Sequence, residues 1–289
     1  MLLFAFALLL SNSLYAGLTP INEVFSPDDS RYPPNQYMKV AVLQWANPID
    51  TPVDVSNARA ELYKISNRET IAQYIEEAYD EGAKLFITPE FAVVGYPYQP
   101  EYGDNFKSIE QAAPYAENKY GPTYLYFKEL AKKYGMYLHI GFLEKVVGVE
   151  KFYNSVMVIS PMGELVTVYH KQNLFGGEYR YIQKGNAPVT YQGPAGTIGL
   201  GICADMYDSS FLRQYRSLKV DALSVSSSWT VHNSAYNHYI RVAKDLKTTV
   251  MGSNHNYFPD SGVVNSDGSK QSHIRQSSGI AYGFIVKSK

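Results

Sequence analysis

The chain has 289 residues, 45% of them hydrophobic and 18% charged, with a formal net charge of −1. That balance excludes a disordered chain or a coiled coil, and it gives nucleic acid or an anionic membrane no electrostatic hold. A single cysteine excludes an intramolecular disulfide, a zinc site built on several thiolates and an iron–sulfur cluster.

Residues 1–10, MLLFAFALLL, form an uncharged apolar run too short to span a bilayer, and small and polar residues follow. The pattern is that of a secretory signal peptide over residues 1–16, with cleavage expected after Ala16. No Asn-X-Ser/Thr sequon occurs, which favours a bacterial periplasmic or secreted protein over a glycosylated one. No later stretch is long and apolar enough to span, so no membrane partner is expected after cleavage. Residues 17–37 carry Pro20, Pro27, Pro33 and Pro34 without apolar periodicity and read as an extended lead-in.

Regular structure is expected from residue 38, with a β-branched strand at 38–45. A helix follows, with Ile71, Tyr74, Ile75 and Ala78 at i, i+3, i+4, i+7, closed by Gly82. A short buried strand at 84–88 stops at Pro89. The next helix opens at Pro122, buries Phe127, Leu130, Ala131 and Tyr134, and ends at Gly135. Strands are then expected at 136–143, 153–160 and 164–170, the last two joined by a turn at 161–163. Further strands at 197–203, 221–227 and 248–253 alternate with a helix containing Phe211, Leu212 and Tyr215 and another at 236–246. Residues 38–289 therefore read as one α/β domain, sheets covered by helices, with no internal repeat in the sequence.

Three polar residues fall where strands end, the place where α/β folds present reactive groups. Glu90 follows Pro89 in Phe86-Ile-Thr-Pro-Glu90, hemmed by apolar neighbours, as suits a general base. Lys171 ends a strand on which Leu165, Thr167 and Tyr169 share its face, so its ammonium must reach water or find a partner. Cys203 follows Gly199 and Gly201, which permit close backbone approach and a sharp turn. A helix beginning near Asp208 is expected to draw the thiol pKa down through its amino-terminal dipole. Base, cation and thiol together are the parts of acyl transfer through a thioester.

With these motifs the chain resembles the nitrilase superfamily of carbon–nitrogen hydrolases, whose signature is a Glu–Lys–Cys triad. The resemblance is carried by Pro89-Glu90, by Tyr169-X-Lys171-X-X-Leu-Phe175 and by Gly199-X-X-X-Cys203-X-Asp205. Supporting matches are Tyr153-Asn154-Ser155 ahead of Pro161-X-Gly163-Glu164, and Ser226-Ser-Ser-Trp229 after the cysteine. Ser261-Gly262 with Asp267-Gly268 resembles a late loop region of the secreted vanin and biotinidase branch. The resemblance implies a four-layer α-β-β-α sandwich of two mixed sheets. It implies Glu90 as base, Cys203 as nucleophile, and an oxyanion held by Lys171 and the backbone N–H of Ala204. Glu178 stands where many members carry a second glutamate. The implied reaction is hydrolysis of a non-peptide amide bond of a small molecule, without cofactor or metal, in a protein that pairs as a homodimer. Tyr96, Phe142 and Trp229 are candidate substrate-pocket residues, with Phe91 and Phe175 as further wall aromatics.

The departures are informative. Ala204-Asp205 replaces the Trp-Glu of true nitrilases, which favours amides over nitriles. Tyr207 stands where many members have an arginine, so a carboxylate clamp there is in doubt. The chain ends at Lys289 without the further C-terminal domain of the vanin branch, so pantetheine and biotinyl substrates are not carried over. Gly199-X-Gly201-X-X-Ala204 fits a dinucleotide fingerprint only formally, since it comes late and lacks a following acidic residue. The six histidines fall in no thiol-protease signature and in no pair at metal-ligand spacing on a helix. An amide-forming acyltransferase on the same triad, or an inactive binding protein on the same fold, are the alternatives.

Overall fold

A computed structural model of the protein describes residues 36–47, 49–229, 234–275 and 278–286. The expected signal peptide and nearly all of the lead-in lie outside the described residues. Strand β1 (Tyr37–Gln44) shows how the fold is layered. Met38, Val40 and Val42 face one side, Ala41 and Leu43 the other, and both sides are buried. A strand covered on both faces reads in sequence as an apolar run without alternation.

The first sheet contains β1, β2 (Leu85–Ile87), β3 (Tyr137–Glu144), β4 (Tyr153–Ile159), β5 (Leu165–His170) and β12 (Gly279–Val286), in the order β12-β1-β2-β3-β4-β5. The second contains β6 (Thr190–Gly193), β7 (Gly196–Ile202), β8 (Ala222–Ser227), β9 (Thr249–Asn254), β10 (Ser261–Val264) and β11 (Lys270–Ile274), in the order β11-β10-β9-β8-β7-β6. In each sheet three central strands are parallel and the flanking ones antiparallel. The two halves thus share one pairing plan, which the sequence does not reveal. Topology demands matching burial patterns, not matching residues. The late segment read as a loop is the β10–β11 hairpin, with Asp267-Gly268 in its turn.

Helices supply the crossovers and the outer layers. Helix α1 (Asn57–Asp80) is capped by Ser56, whose hydroxyl accepts from the Arg59 N–H, and it buries Ile71, Ile75 and Ala78 on the first sheet. A single turn, α2 (Ile109–Ala112), was not anticipated. Helix α3 (Pro122–Tyr134) starts at Pro122, ends at Gly135 in the left-handed region (φ 60°), and packs Phe127 and Ala131 beside α1. Helices α4 (Ser209–Leu218) and α5 (Ala235–Leu246) cover the second sheet with Phe211, Tyr215, Tyr239 and Val242. The result is the four-layer α-β-β-α sandwich.

Between the sheets, Val40, Val42, Ile87 and Val156 meet Ile198, Leu200 and Ile202 in a dry core. Polar pins cross it. His139 on β3 bonds Ser224 on β8 and Tyr191 on β6, both at 2.8 Å, and burial pushes its pKa down to about 3, so it is neutral. Ser226 donates to the Thr88 carbonyl at 2.8 Å. These contacts fix the register of the sheets at the end from which Glu90 emerges.

Alternation on β7 also corrects one expectation. Gly199 and Gly201 do make room, but for α4. A Cβ on Gly199 would lie 2.6 Å from the Tyr215 ring, and one on Gly201 2.8 Å from Met206 and 2.9 Å from Phe211. The Tyr215 ring cannot retreat freely, because its hydroxyl is tied to the Leu200 carbonyl at 2.5 Å and to the Val189 N–H at 3.0 Å. Gly199→Ala is therefore expected to destabilise the fold by about 1–3 kcal/mol, read from urea denaturation at unchanged m-value. A loss below about 0.5 kcal/mol would show that helix and sheet are not in such close contact.

Candidate active site

Glu90, Lys171 and Cys203 stand just beyond the carboxyl ends of β2, β5 and β7, and all three line one cavity of about 290 Å³. The geometry of each begins with its backbone. Thr88 leaves β2 with its N–H on the His139 carbonyl (3.0 Å) and its hydroxyl accepting from the Gly141 N–H (2.9 Å). The turn then lies directly over Gly141, where a Cβ would come within 2.5 Å of the Pro89 carbonyl oxygen. Phe91 completes it at φ 50°. From the second sheet, the Glu90 N–H donates to the Ser227 carbonyl (3.4 Å) and His255 Nε2–H donates to the Glu90 carbonyl (2.6 Å). Burial pushes the His255 pKa down to about 4, so the imidazole is neutral.

Lys171 is 1% exposed and does not reach water. Its Nζ donates to Glu90 Oε1 and to Glu178 Oε2, both at 2.7 Å. Burial alone would release its proton, but Glu178, Glu90 and the adjacent Cys203 outweigh burial and hold the ammonium well above the ordinary lysine value. Asn154 on β4 bridges the same two carboxylates, donating to Glu90 Oε1 at 2.7 Å and to Glu178 Oε1 at 2.6 Å. Glu178, in the 3₁₀ turn Gly176–Arg180, also accepts the Phe175 N–H at 2.7 Å. Burial and then the charge of Glu90 raise its pKa against the pull of Lys171. The apolar surroundings expected around Glu90 are thus only half of its environment, since an ammonium and an amide grip its carboxylate.

Cys203 opens the 3₁₀ turn Cys203–Tyr207 with φ 41°, a left-handed backbone unusual for a side chain with a Cβ. Its Sγ lies 3.8 Å from the Ser228 carbonyl. The thiol pKa is pushed up, first by burial and then by Glu90, with Lys171 opposing. The thiol is therefore not drawn down as expected, because burial outweighs whatever the start of α4 offers. Helix α4 begins after Asp208, whose carboxylate accepts the Phe211 N–H at 2.9 Å and occupies that helix terminus.

Asp205 locks the cysteine turn to the lysine loop. Its Oδ2 accepts from Tyr169 Oη (2.7 Å) and the Ile202 N–H (2.9 Å), and its Oδ1 from the Gln172 (3.2 Å) and Asn173 (2.8 Å) N–H groups. Burial lifts its pKa to about 6 while these donors restrain it, so it is a carboxylate at neutral pH. Asp205 entered the sequence reading only as part of a motif, and Asn154 only as part of a hairpin. For Asn154 the available signal was a polar residue inside an otherwise apolar buried strand, because such a group must find partners.

Of the proposed wall aromatics, Tyr96, Phe175 and Trp229 line the cavity. Phe142 does not. Alternation along β3 turns it with Leu138 and Ile140 onto the helix-covered face, where it packs in the cluster of Phe127. Phe91 is buried beside Tyr96, 5.5 Å between ring centroids, behind the cavity wall. Ala204 follows Cys203 in the 3₁₀ turn and is buried. Tyr207 stands edge-on to Trp229 at 4.9 Å.

Comparison with known proteins gives one coherent picture. A family model described as carbon–nitrogen hydrolase matches residues 39–243. The protein N-terminal amidase of Schizosaccharomyces pombe is 31% identical over 153 residues, 50% of this chain and 49% of that protein. Human pantetheinase is 26% identical over 266 residues, 82% of this chain and 51% of that one. The chain spans about half the length of the curated relatives it matches. Among solved structures, an amidase from Nesterenkonia sp. superposes with a TM-score of 0.70 over 88% of this chain and 92% of its own, at 18% identity.

Replacing Asp205 by alanine leaves the Tyr169 hydroxyl and the Ile202 N–H buried without this acceptor and takes it from the half-buried Gln172 and Asn173 donors as well. The expected loss is about 2–4 kcal/mol of unfolding free energy by chemical denaturation. A loss under about 1 kcal/mol would mean that Asp205 does not hold the two loops together.

Proposed function

The chain belongs to the carbon–nitrogen hydrolase family, and from that premise we propose that it hydrolyses a non-peptide amide bond of a small molecule through a thioester on Cys203. One observation carries the reading. A buried ammonium sits 2.7 Å from each of two carboxylates in the cavity that also holds the lone thiol. Such a charge set has no use in packing a core, where an apolar cluster of the same volume would be as stable or more so.

The pKa directions assign the roles. Lys171 keeps its proton and cannot act as a base; it is a fixed positive charge. The Cys203 thiol sits above its ordinary value, so it attacks only as its proton leaves, and a base must be in place. Glu90 is that base. It accepts the Sγ proton while sulfur bonds to the amide carbonyl carbon, and the carbonyl oxygen becomes an oxyanion held by Lys171 Nζ and the Ala204 N–H. Collapse breaks the C–N bond, and Glu90 passes its proton to the departing nitrogen. Water, deprotonated by Glu90, then adds to the thioester, the C–S bond breaks, and Sγ is reprotonated as the acid leaves. Glu178 and Asn154 keep the lysine and Glu90 aligned through both halves of the cycle. Preorganised charge of this kind contributes most where the site is dry, and Glu90, Lys171 and Glu178 are all buried.

Ammonia release from a panel of small amides tests the reading. Cys203→Ala should abolish it, and Glu90→Gln should lower kcat on the order of a thousandfold, the range for losing a general base. Release by Cys203→Ala at the wild-type rate would overturn the thioester route.

A further inference from the structure

The cavity has a second end. Residues 99–105 form a tight loop closed by the Gln99–Gly103 bridge, and the loop is held in place from two sides. Gln99 Nε2 donates to the Asn105 carbonyl at 2.7 Å, and Tyr181 Oη donates to Asn105 Oδ1 at 3.1 Å. Tyr102 is covered by the Arg180 guanidinium, 5.1 Å from its ring centroid. The loop thereby carries Tyr102 and Asp104 into the lining that Tyr257 also shares.

The charge of this lining is one-sided. Its carboxylates are Glu90, Glu178 and Asp104, and its single cation among the described residues is Lys171, which is already engaged by Glu90 and Glu178. Neither Asp104 nor nearby Asp50 has a lysine or arginine within 4.0 Å among the described residues. Burial and the charge of Asp50 push the Asp104 pKa up, the mark of a carboxylate lacking a counter-ion. Burial, then Tyr63, then the same two aspartates raise the Tyr257 hydroxyl. Aromatic faces beside an uncompensated carboxylate attract a cation and repel an anion.

Resting on the hydrolase reading above, we propose that Asp104 with the ring of Tyr257 forms a specificity subsite for a cationic group, Tyr102 being held by Arg180 as part of the loop that presents Asp104. The substrate is then an amide bearing an ammonium or guanidinium several bonds from the scissile carbonyl. An amide with a carboxylate at that distance is excluded by repulsion.

Three amides of matched length test this: δ-aminovaleramide (cationic), valeramide (neutral) and glutaramate (anionic). The wild type should favour δ-aminovaleramide over valeramide by about tenfold or more in kcat/KM, mainly through KM, with glutaramate the poorest. In Asp104→Asn the cationic-to-neutral ratio should fall at least about fivefold. A wild-type preference for valeramide or glutaramate, or an unchanged ratio in Asp104→Asn, overturns the subsite. Calorimetric binding to Cys203→Ala separates the two claims if no amide is turned over. About tenfold tighter binding of δ-aminovaleramide than valeramide, lost in Cys203→Ala/Asp104→Asn, upholds the subsite while the hydrolase reading fails. Equal binding overturns the subsite.

Discussion

The structure depends on an ammonium buried where water cannot reach it. Moving a lysine charge out of water costs several kcal/mol, and only close partners make the arrangement tolerable. Lys171 has two, Glu90 and Glu178, and Asn154 ties the same carboxylates from the other side. Each member of this cluster is satisfied only if the others are in place. The cluster is therefore rigid for electrostatic reasons, and removing Lys171 would leave two buried carboxylates without a counter-ion.

All four members of that cluster come from the first sheet or the loops leaving it, whereas Cys203 comes from the second. The face-to-face packing of two similarly wired sheets is thus what brings base and thiol together. Beyond the apolar core and the pins at His139 and Ser226, particular contacts hold the seam at the site. Asp205 gathers the cysteine turn and the lysine loop, and His255 and Ser227 from the second sheet grip the backbone of Glu90. The left-handed backbone at Cys203 is sustained by the same hydrogen bonds, since Asp205 fastens the Ile202 N–H directly before it.

Much of this was legible in sequence, for identifiable reasons. Apart from α2 and the short edge strand β6, the strands and helices up to 253 follow from apolar periodicity and from Pro122, Gly135 and Gly82, which act locally. Glu90, Lys171 and Cys203 were legible because each follows a strand and sits in a recognisable motif. Residues whose role depends on distant partners were harder to read. Asn154 matters because two carboxylates 64 and 24 residues away converge on it. Strand β12 matters because it pairs with β1 at the opposite end of the chain. Phe142 was misplaced because proximity to a motif says nothing about which face of a strand a side chain occupies. The expected lowering of the thiol pKa failed because burial, which a sequence does not display, is its largest influence.

On the proposed mechanism the Cys203 thiol, its pKa raised by burial, attacks only when substrate and base act together. The central claim is that the carbonyl carbon of the substrate becomes bonded to Cys203. Intact-protein mass measurement after rapid acid quench of enzyme turning over a slow amide tests it most directly, with peptide mapping of the adduct. The account predicts a mass increase equal to the acyl group, located on Cys203. Turnover with no acyl adduct at any quench time, or an adduct on another residue, would contradict it.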